Sequence, residues 1–136
     1  MKPKVFISHS SRDTWVALRI AEAIEKCGTA TFLDQLHIQH GDDFEEEILK
    51  AEETCTELLV LLTPWARHRS WIYLEIGFFR RGKKRVVGVL HGLTPKELSE
   101  NDGEGVLLNK LDLIELNELD SYISQLRMRA GTDVQR

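Results

Sequence analysis

The hydrophobic pattern of this chain changes its period repeatedly, and this alternation constrains the fold more than any other feature. Short β-rich or continuously apolar runs alternate with longer segments whose apolar residues recur every three or four positions. Residues 4–8 form the first run, and residues 16–27 carry the first helical pattern, which Gly28 is expected to end. Such an alternation is typical of α/β proteins.

Five strand segments and five helical segments follow one another in this way. The strands are predicted at 4–8, 29–33, 57–63, 86–90 and 111–116, and the helices at 16–27, 44–55, 70–82, 94–101 and 119–126. Residues 57–63 are almost all apolar, as expected of a strand that is covered on both faces. Right-handed crossovers then predict a three-layer sandwich, in which a five-stranded parallel sheet carries helices on both faces and 111–116 is the edge strand.

Length and charge limit the kind of protein this is. The 136 residues suit one domain, predicted over 1–130, with 131–136 as a polar tail or the start of a linker. Eighteen basic against twenty-two acidic side chains give a net charge of −4, which argues against direct nucleic-acid binding. With two cysteines, no signal peptide and no apolar run near the roughly 20 residues of a membrane span, we expect a soluble cytoplasmic protein with no membrane partner.

Ligand sites in such sheets lie at the carboxyl ends of the strands, yet the common phosphate-binding and nucleophile motifs are missing there. The chain has no G-x-G-x-x-G, no G-K-[ST] and no G-x-S-x-G, which disfavours dinucleotide dehydrogenases, P-loop enzymes and α/β-hydrolases. His37 and His40 lack further ligands nearby, so no metal site is predicted. The basic run 80–85 is interpreted as a solvated helix end rather than an anion site.

The segment 70–79 combines large apolar side chains with one carboxylate. On a helix it presents two neighbouring stripes, a core-facing one of Ile72, Ile76 and Phe79, and a second one of Trp71, Glu75 and Phe78. Glu75 therefore stands beside aromatic rings. Pattern alone favours a solvated glutamate at the rim, and the alternative is a carboxylate held in a cleft for a chemical purpose.

Four sequence runs together carry a family resemblance. KVFISHSSRD at 4–13, FLDQLHIQHGDDF at 32–44, ELLVLLTPWA at 57–66 and SWIYLEIGFF at 70–79 stand in the order and spacing of a TIR domain, and the chain resembles the bacterial kind. The resemblance covers residues 4 to about 92 well. It implies a flavodoxin-like arrangement of five parallel strands, in agreement with the alternation.

The resemblance also implies two classes of function, because some TIR domains are adaptors that assemble with one another and others cleave NAD+ at the nicotinamide–ribose bond. Catalytic members carry a glutamate four residues after a tryptophan on the third helix, and Trp71 and Glu75 match that spacing. Similar proteins bind NAD+ with the loop after the first strand and the end of the second strand with its following loop. The corresponding residues here are Ser8, His9, Ser10, Ser11, Asp34, Ile38, Gly41 and Phe44.

The chemistry suits a single carboxylate. Nicotinamide leaves readily as a neutral base, and the difficulty lies in the cationic ribose, which a nearby Glu75 would stabilise. Trp71, one turn before Glu75, would form a wall against the nucleoside of NAD+ and keep water from screening the carboxylate. Structural alternatives remain for these positions: core packing for Trp71, a helix N-cap for Ser10 or Ser11, the end of a strand for Asp34 and a turn for Gly41.

The resulting hypothesis is an NAD+ glycohydrolase that uses NAD+ as substrate, needs no cofactor and yields nicotinamide with ADP-ribose or a cyclic isomer. Kinship suggests head-to-tail self-association with other TIR domains, a fused or separate sensor module, and a role in innate immunity or anti-phage defence. The main alternative is a non-enzymatic interaction module in which the loop from Asp34 to Phe44 is adhesive and Glu75 lies at the surface. A weaker third option is a base-exchanging enzyme that acts on deoxynucleosides.

Overall fold

Strands and helices alternate along the chain. The computed structural model describes residues 2–33, 41, 43–66, 70–99 and 111–134. Within these ranges the elements are β1 Lys4–Ser8, α1 Thr14–Lys26, β2 Ala30–Phe32, α2 Phe44–Thr54, β3 Glu57–Leu62, α3 Ser70–Arg81, β4 Arg85–Leu90, α4 Pro95–Ser99, β5 Asp112–Glu115 and α5 Leu119–Val134. Every predicted strand and helix is present, with ends that differ by at most two residues, except that α5 continues eight residues past its predicted end.

The five strands form one parallel sheet in the order β2-β1-β3-β4-β5. The sheet is therefore the predicted one, and β5 occupies the predicted edge. In the register of β1 and β3, Ser8 lies beside Val60, so the carboxyl ends of the first and third strands meet at the same side of the sheet. Side chains that follow these two strands are thereby brought together.

Helices cover both faces of the sheet, which confirms the three-layer sandwich. One core cluster packs α2, α3 and α4 against the sheet, and the other packs α1 and α5 against the opposite face. Every residue of β3 is buried: Leu58, Val60 and Leu62 face the first cluster, and Leu59 and Leu61 the second. This two-sided burial is why the run showed no polar alternation.

Two helix ends agree with local sequence signals. Gly28 follows α1 with a φ of 92°, a left-handed conformation that glycine adopts without a steric penalty, and it ends the helix as predicted. Asp43 is the N-cap of α2, and its side chain accepts a hydrogen bond from the backbone N–H of Glu46 at 3.2 Å. At the carboxyl terminus, α5 continues to Val134, so four residues of the predicted tail are helical.

The basic run at the end of α3 differs from its predicted role at one position. Arg80, Arg81, Lys83 and Arg85 are exposed, as expected of a solvated helix end. Lys84 instead reaches the last turn of α2. There its Nζ donates hydrogen bonds to the carbonyl oxygens of Glu52, Glu53 and Cys55, at 2.6, 3.2 and 2.8 Å. The prediction was wrong for Lys84 because carbonyls at the end of a distant helix attract its ammonium group.

Candidate functional site at the carboxyl end of the sheet

A buried hydrogen bond joins the end of β1 to α3. The Ser8 hydroxyl donates to Glu75 Oε1 at 2.7 Å, and each of the two residues is 3% exposed. Ser8 follows Phe6 by two positions, so both face the layer of α3, where Phe6 packs in the core. The Glu75 carboxylate is therefore turned inward at the carboxyl end of the sheet, and the alternative of a solvated surface glutamate does not describe this structure.

The two stripes predicted on α3 are present. Ile72, Ile76 and Phe79 are buried in the core, and Glu75 lies on the neighbouring stripe. Trp71 is one helical turn before Glu75 and half-buried, with its ring packed against the same core cluster. The core packing considered for Trp71 is thus observed, and its position also keeps an aromatic wall close to the carboxylate.

The loop after β1 contains one buried polar atom that has no hydrogen-bond partner within the described part of the chain. His9 follows Ser8 directly, and its Nδ1 lies 3.5 Å from the carbonyl oxygen of Ile7. Its Nε2 is buried and has no hydrogen-bond partner within the described part of the chain. A buried imidazole nitrogen of this kind is a hydrogen-bonding position for a bound molecule or an ordered water.

Ser10 and Ser11 are used differently from one another. Ser10 is 1% exposed, and it caps the short 3-10 turn of residues 11–13 by accepting a hydrogen bond from the N–H of Arg12 at 3.3 Å. Ser11 is exposed. Ser10 is therefore an N-cap, but of the short turn before α1 and not of α1 itself, whose N-cap residue is Asp13, while Ser11 remains accessible to solvent.

A second buried link at this edge was missed by the sequence reasoning. The Thr63 hydroxyl donates to Asp13 Oδ2 at 2.6 Å, and it accepts a hydrogen bond from the N–H of Ala66 at 3.1 Å. Asp13 is 4% exposed and Thr63 is fully buried. The available signal was the position of Thr63 as the last residue of one predicted strand and of Asp13 in the loop that follows another, where polar side chains converge in a parallel sheet.

The remaining predicted site residues belong to the segment after β2. Asp34 and Ile38 lie outside the described residues, as do His37 and His40. Gly41 lies in a turn with a φ of 94°, as its predicted role in a turn requires. Phe44 begins α2 through its backbone, and its side chain is not part of the described structure. The structure thus brings together Ser8, His9, Ser10, Trp71 and Glu75 within this region.

Three cavities bounded by described residues lie away from Glu75. One of about 300 Å³ lies beyond β4 and β5, between His91 and Glu115, and one of about 400 Å³ lies between α1 and α5, beside Trp15. The third, about 190 Å³, lies at the opposite end of the sheet beside Arg129. Glu75 lines none of these three cavities.

The described residues provide neither a cluster of metal ligands nor a helix suited to a membrane. They contain no group of three His, Cys, Asp or Glu side chains arranged to hold a metal ion. None of the helices found there combines the length and apolar character needed to cross a bilayer.

The fold and the site together define a class of protein, a flavodoxin-like α/β domain with a buried carboxylate at the carboxyl end of its parallel sheet. The family model of the TIR domain matches residues 5–127. The chain therefore belongs to the TIR domain family.

Relatives and solved structures agree with this membership. A Brachypodium distachyon protein named BdTIR, a probable 2′ cyclic ADP-D-ribose synthase, is 26% identical over 97 residues, which are 70% of this chain but only 43% of the relative. The TIR domains of the activated Roq1 resistosome, which recognises the pathogen effector XopQ, superpose with a TM-score of 0.70 at 18% identity, covering 98% of this chain and 99% of theirs.

Two metazoan structures also share the fold. The Toll-related receptor TRR-2 of Hydra magnipapillata has a TIR domain with a TM-score of 0.66 and 17% identity, covering 97% of this chain and 98% of its own. A TIR-STING receptor from C. gigas, solved in complex with 2′,3′-cGAMP, has a TM-score of 0.71 and 20% sequence identity. The match covers 90% of this chain and 39% of that receptor chain. These likenesses establish the fold.

Proposed function

We propose that this domain cleaves the nicotinamide–ribose bond of NAD+, with Glu75 as the catalytic group. The observation that carries the proposal is the buried Glu75 carboxylate, held by the Ser8 hydroxyl at 2.7 Å at the carboxyl end of the sheet. Family membership and the name of the Brachypodium relative, a cyclic ADP-ribose synthase, support the same chemistry. NAD+ is the substrate, and the proposal invokes no cofactor.

The catalytic step needs electrostatic stabilisation more than proton transfer. The C–N bond breaks with its electron pair going to the nicotinamide nitrogen, so nicotinamide leaves neutral and positive charge develops on the ribose. Water then adds to the cation and loses a proton to give ADP-ribose, or the adenine edge of the same molecule adds to give a cyclic isomer. A carboxylate near the ribose stabilises this cation most strongly where water is excluded, and Glu75 is only 3% exposed. Trp71, one turn away, supplies an apolar wall that limits screening by solvent.

Substrate binding uses the polar edge around this carboxylate. The Nε2 of His9, which has no partner among the residues that the structure describes, offers a hydrogen bond to the nucleotide, and the exposed Ser11 lies at the start of the short turn before α1. Asp34, Ile38, Gly41 and Phe44 complete the proposed NAD+ site from the segment after β2. Ser10 contributes by shaping the loop, since its hydroxyl is bonded to the N–H of Arg12.

The burial of Glu75 bears on when the enzyme is active. A ribose cannot reach a carboxylate that is 3% exposed without movement of its surroundings. We therefore propose that head-to-tail association with other TIR domains opens and completes the site, so activity rises steeply with protein concentration. A sensor module, fused or separate, would drive this assembly in the cytoplasm as part of innate immune or antiviral defence.

Chromatography of NAD+ incubated with concentrated, crowded protein tests the function and identifies the product in one measurement. Wild-type protein should release nicotinamide together with ADP-ribose or a cyclic isomer. Glu75→Gln should fold normally and lose at least about two orders of magnitude in rate, the usual scale for one electrostatic group. The matched control is Glu53→Gln, which makes the same change at an exposed position of α2 and should retain full activity.

Equal turnover by wild type and Glu75→Gln would refute the assignment of Glu75. Absence of nicotinamide release at every concentration, including assembled protein, would refute the enzymatic function and leave the interaction module as the function of the domain. In that case substitutions at Ile38 or Gly41 should weaken self-association without any effect on NAD+.

A further inference from the structure

Two hydrogen bonds connect the same pair of chain segments at the carboxyl end of the sheet. One segment runs from the end of β1 to α1 and the other from the end of β3 into α3. Ser8 bonds to Glu75, and Asp13 bonds to Thr63. All four residues are at most 4% exposed, so both bonds are shielded from water. The proposed catalytic step uses only the first of these bonds.

The hydrogen bond between Asp13 and Thr63 is connected to the backbone on both sides. The backbone N–H of Asp13 donates to the carbonyl oxygen of Ser10 at 2.8 Å, which closes the turn that contains Ser10. On the other side, the Thr63 hydroxyl receives the N–H of Ala66 and donates to the Asp13 carboxylate. A continuous chain of hydrogen bonds therefore runs from the backbone after β3, through Thr63 and Asp13, to the backbone of the loop after β1.

We infer that Asp13 is a positioning residue, which holds the loop of His9 and Ser10 in place for NAD+ binding by accepting the Thr63 hydrogen bond. The inference rests on the proposed function. Among the described hydrogen bonds, Asp13 is joined to Thr63 and Ser10, whereas Glu75 is bonded to Ser8. Loss of the Asp13 link should therefore displace the binding loop and leave the carboxylate in place.

This separation predicts a characteristic kinetic pattern. A displaced binding loop weakens the binding of the substrate and of the transition state by the same amount. Such a loss raises KM and leaves kcat nearly unchanged. Loss of the Ser8 bond would instead lower kcat, since the group that stabilises the cation would be misplaced. Asp13 and Ser8 thus serve binding and chemistry respectively, although they lie in the same strand-end segment.

The test compares Thr63→Val with Thr63→Ser. Valine has nearly the shape of threonine but no hydroxyl, whereas serine keeps the donor to Asp13. In assembled protein, Thr63→Val should raise the KM for NAD+ about tenfold, with kcat within about twofold, and Thr63→Ser should lie close to wild type. Amide hydrogen exchange gives a readout independent of activity: exchange at Arg12 and Asp13, whose N–H groups both bond to Ser10, should accelerate about tenfold in Thr63→Val only.

Each outcome decides the inference. Unchanged exchange at Arg12 and Asp13 in Thr63→Val, or a fall in kcat as large as the rise in KM, would overturn it. If wild-type protein cleaves no NAD+ when assembled, the proposed function fails, and the exchange data alone decide whether Asp13 holds the loop. Should Thr63→Val not fold, Asp13→Asn takes its place in the same two measurements, because its amide is a weaker acceptor than the carboxylate.

Discussion

Ser8 and Glu75, separated by 67 positions in the sequence, share a buried hydrogen bond of 2.7 Å. The bond exists because parallel pairing brings the end of β1 next to β3, and the crossover after β3 returns α3 over the sheet face on which Ser8 lies. Glu75 is thereby fixed in orientation at the strand ends. The hydroxyl of Ser8 should consequently matter for catalysis even if it never touches NAD+.

Ser8→Ala should lower kcat for NAD+ cleavage about 10- to 100-fold. A hydrogen bond to a charged group contributes about 1.5–3 kcal/mol, and about 1.4 kcal/mol corresponds to a factor of ten in rate. Steady-state kinetics on assembled protein measures this loss. In a Glu75→Gln background Ser8→Ala should lower kcat little further, because the carboxylate that Ser8 orients is already absent. Fully additive losses would contradict the relationship.

Local pattern predicted the elements and the neighbourhood of the site but not its individual bonds. The stripe of Trp71 and Glu75 follows from the helical period alone, and the strand-end loop of Ser8 and His9 follows from the general geometry of parallel sheets. The Thr63 bond to Asp13 spans 50 positions, and its partners become neighbours only once the strands are in register. The environment of Lys84 was predicted wrongly for the same reason. The helical period of α3 does not show that its end lies close to the end of α2.

The opposite end of the sheet contains an ion pair that anchors α5. Arg129 Nη2 lies 2.7 and 2.9 Å from the two carboxylate oxygens of Glu57, and the hydroxyl of Tyr122 donates to Glu57 Oε1 at 2.8 Å. Burial, and secondarily Glu57, raises the pKa of Tyr122, so it stays protonated and remains a donor. The Glu57 side chain is 3% exposed and that of Arg129 27% exposed.

Arg129→Met should destabilise the domain by about 2 kcal/mol. Removing one partner of a fully buried pair costs about 3–5 kcal/mol, and the partial exposure of Arg129 reduces this because water can replace it beside Glu57. Urea denaturation measures the change. The control is Arg127→Met on the exposed side of the same helix, which should change the unfolding free energy by less than about 0.5 kcal/mol. Equal effects of the two substitutions would show that the ion pair contributes nothing.

Glu52 should make stability depend on pH. Burial raises the pKa of its carboxyl to about 7 from 4.5, although the nearby Lys84 acts in the opposite direction. The folded state therefore holds a proton that the unfolded state releases at lower pH. Below pH 4.5 this carboxyl is protonated in both states and does not change the free energy of unfolding. That free energy falls as the pH rises from 4.5 to about 7, and above pH 7 the loss caused by Glu52 is complete.

Glu52→Gln should accordingly stabilise the folded protein at pH 8 by on the order of 1 kcal/mol, because the glutamine amide carries no charge whose burial would be unfavourable. The same substitution should have little effect at pH 4.5. Denaturation midpoints across this pH range measure the difference, and Glu53→Gln, exposed and adjacent, serves as the control. A stabilisation that is equal at both pH values would exclude titration of Glu52 as its cause.

The two cysteines should differ in reactivity, because only the thiolate attacks an alkylating reagent. Burial raises the pKa of the Cys55 thiol to about 11, and Cys55 is 1% exposed, whereas Cys27 is half-buried at the end of α1. In the folded protein at pH 8, iodoacetamide should therefore label Cys27 at least about tenfold faster than Cys55. Peptide mass spectrometry resolves the two sites, and the rates should converge in urea, where both thiols are exposed. Rapid labelling of Cys55 in the folded protein would mean that α2 opens readily at its carboxyl end, despite the three carbonyl contacts of Lys84.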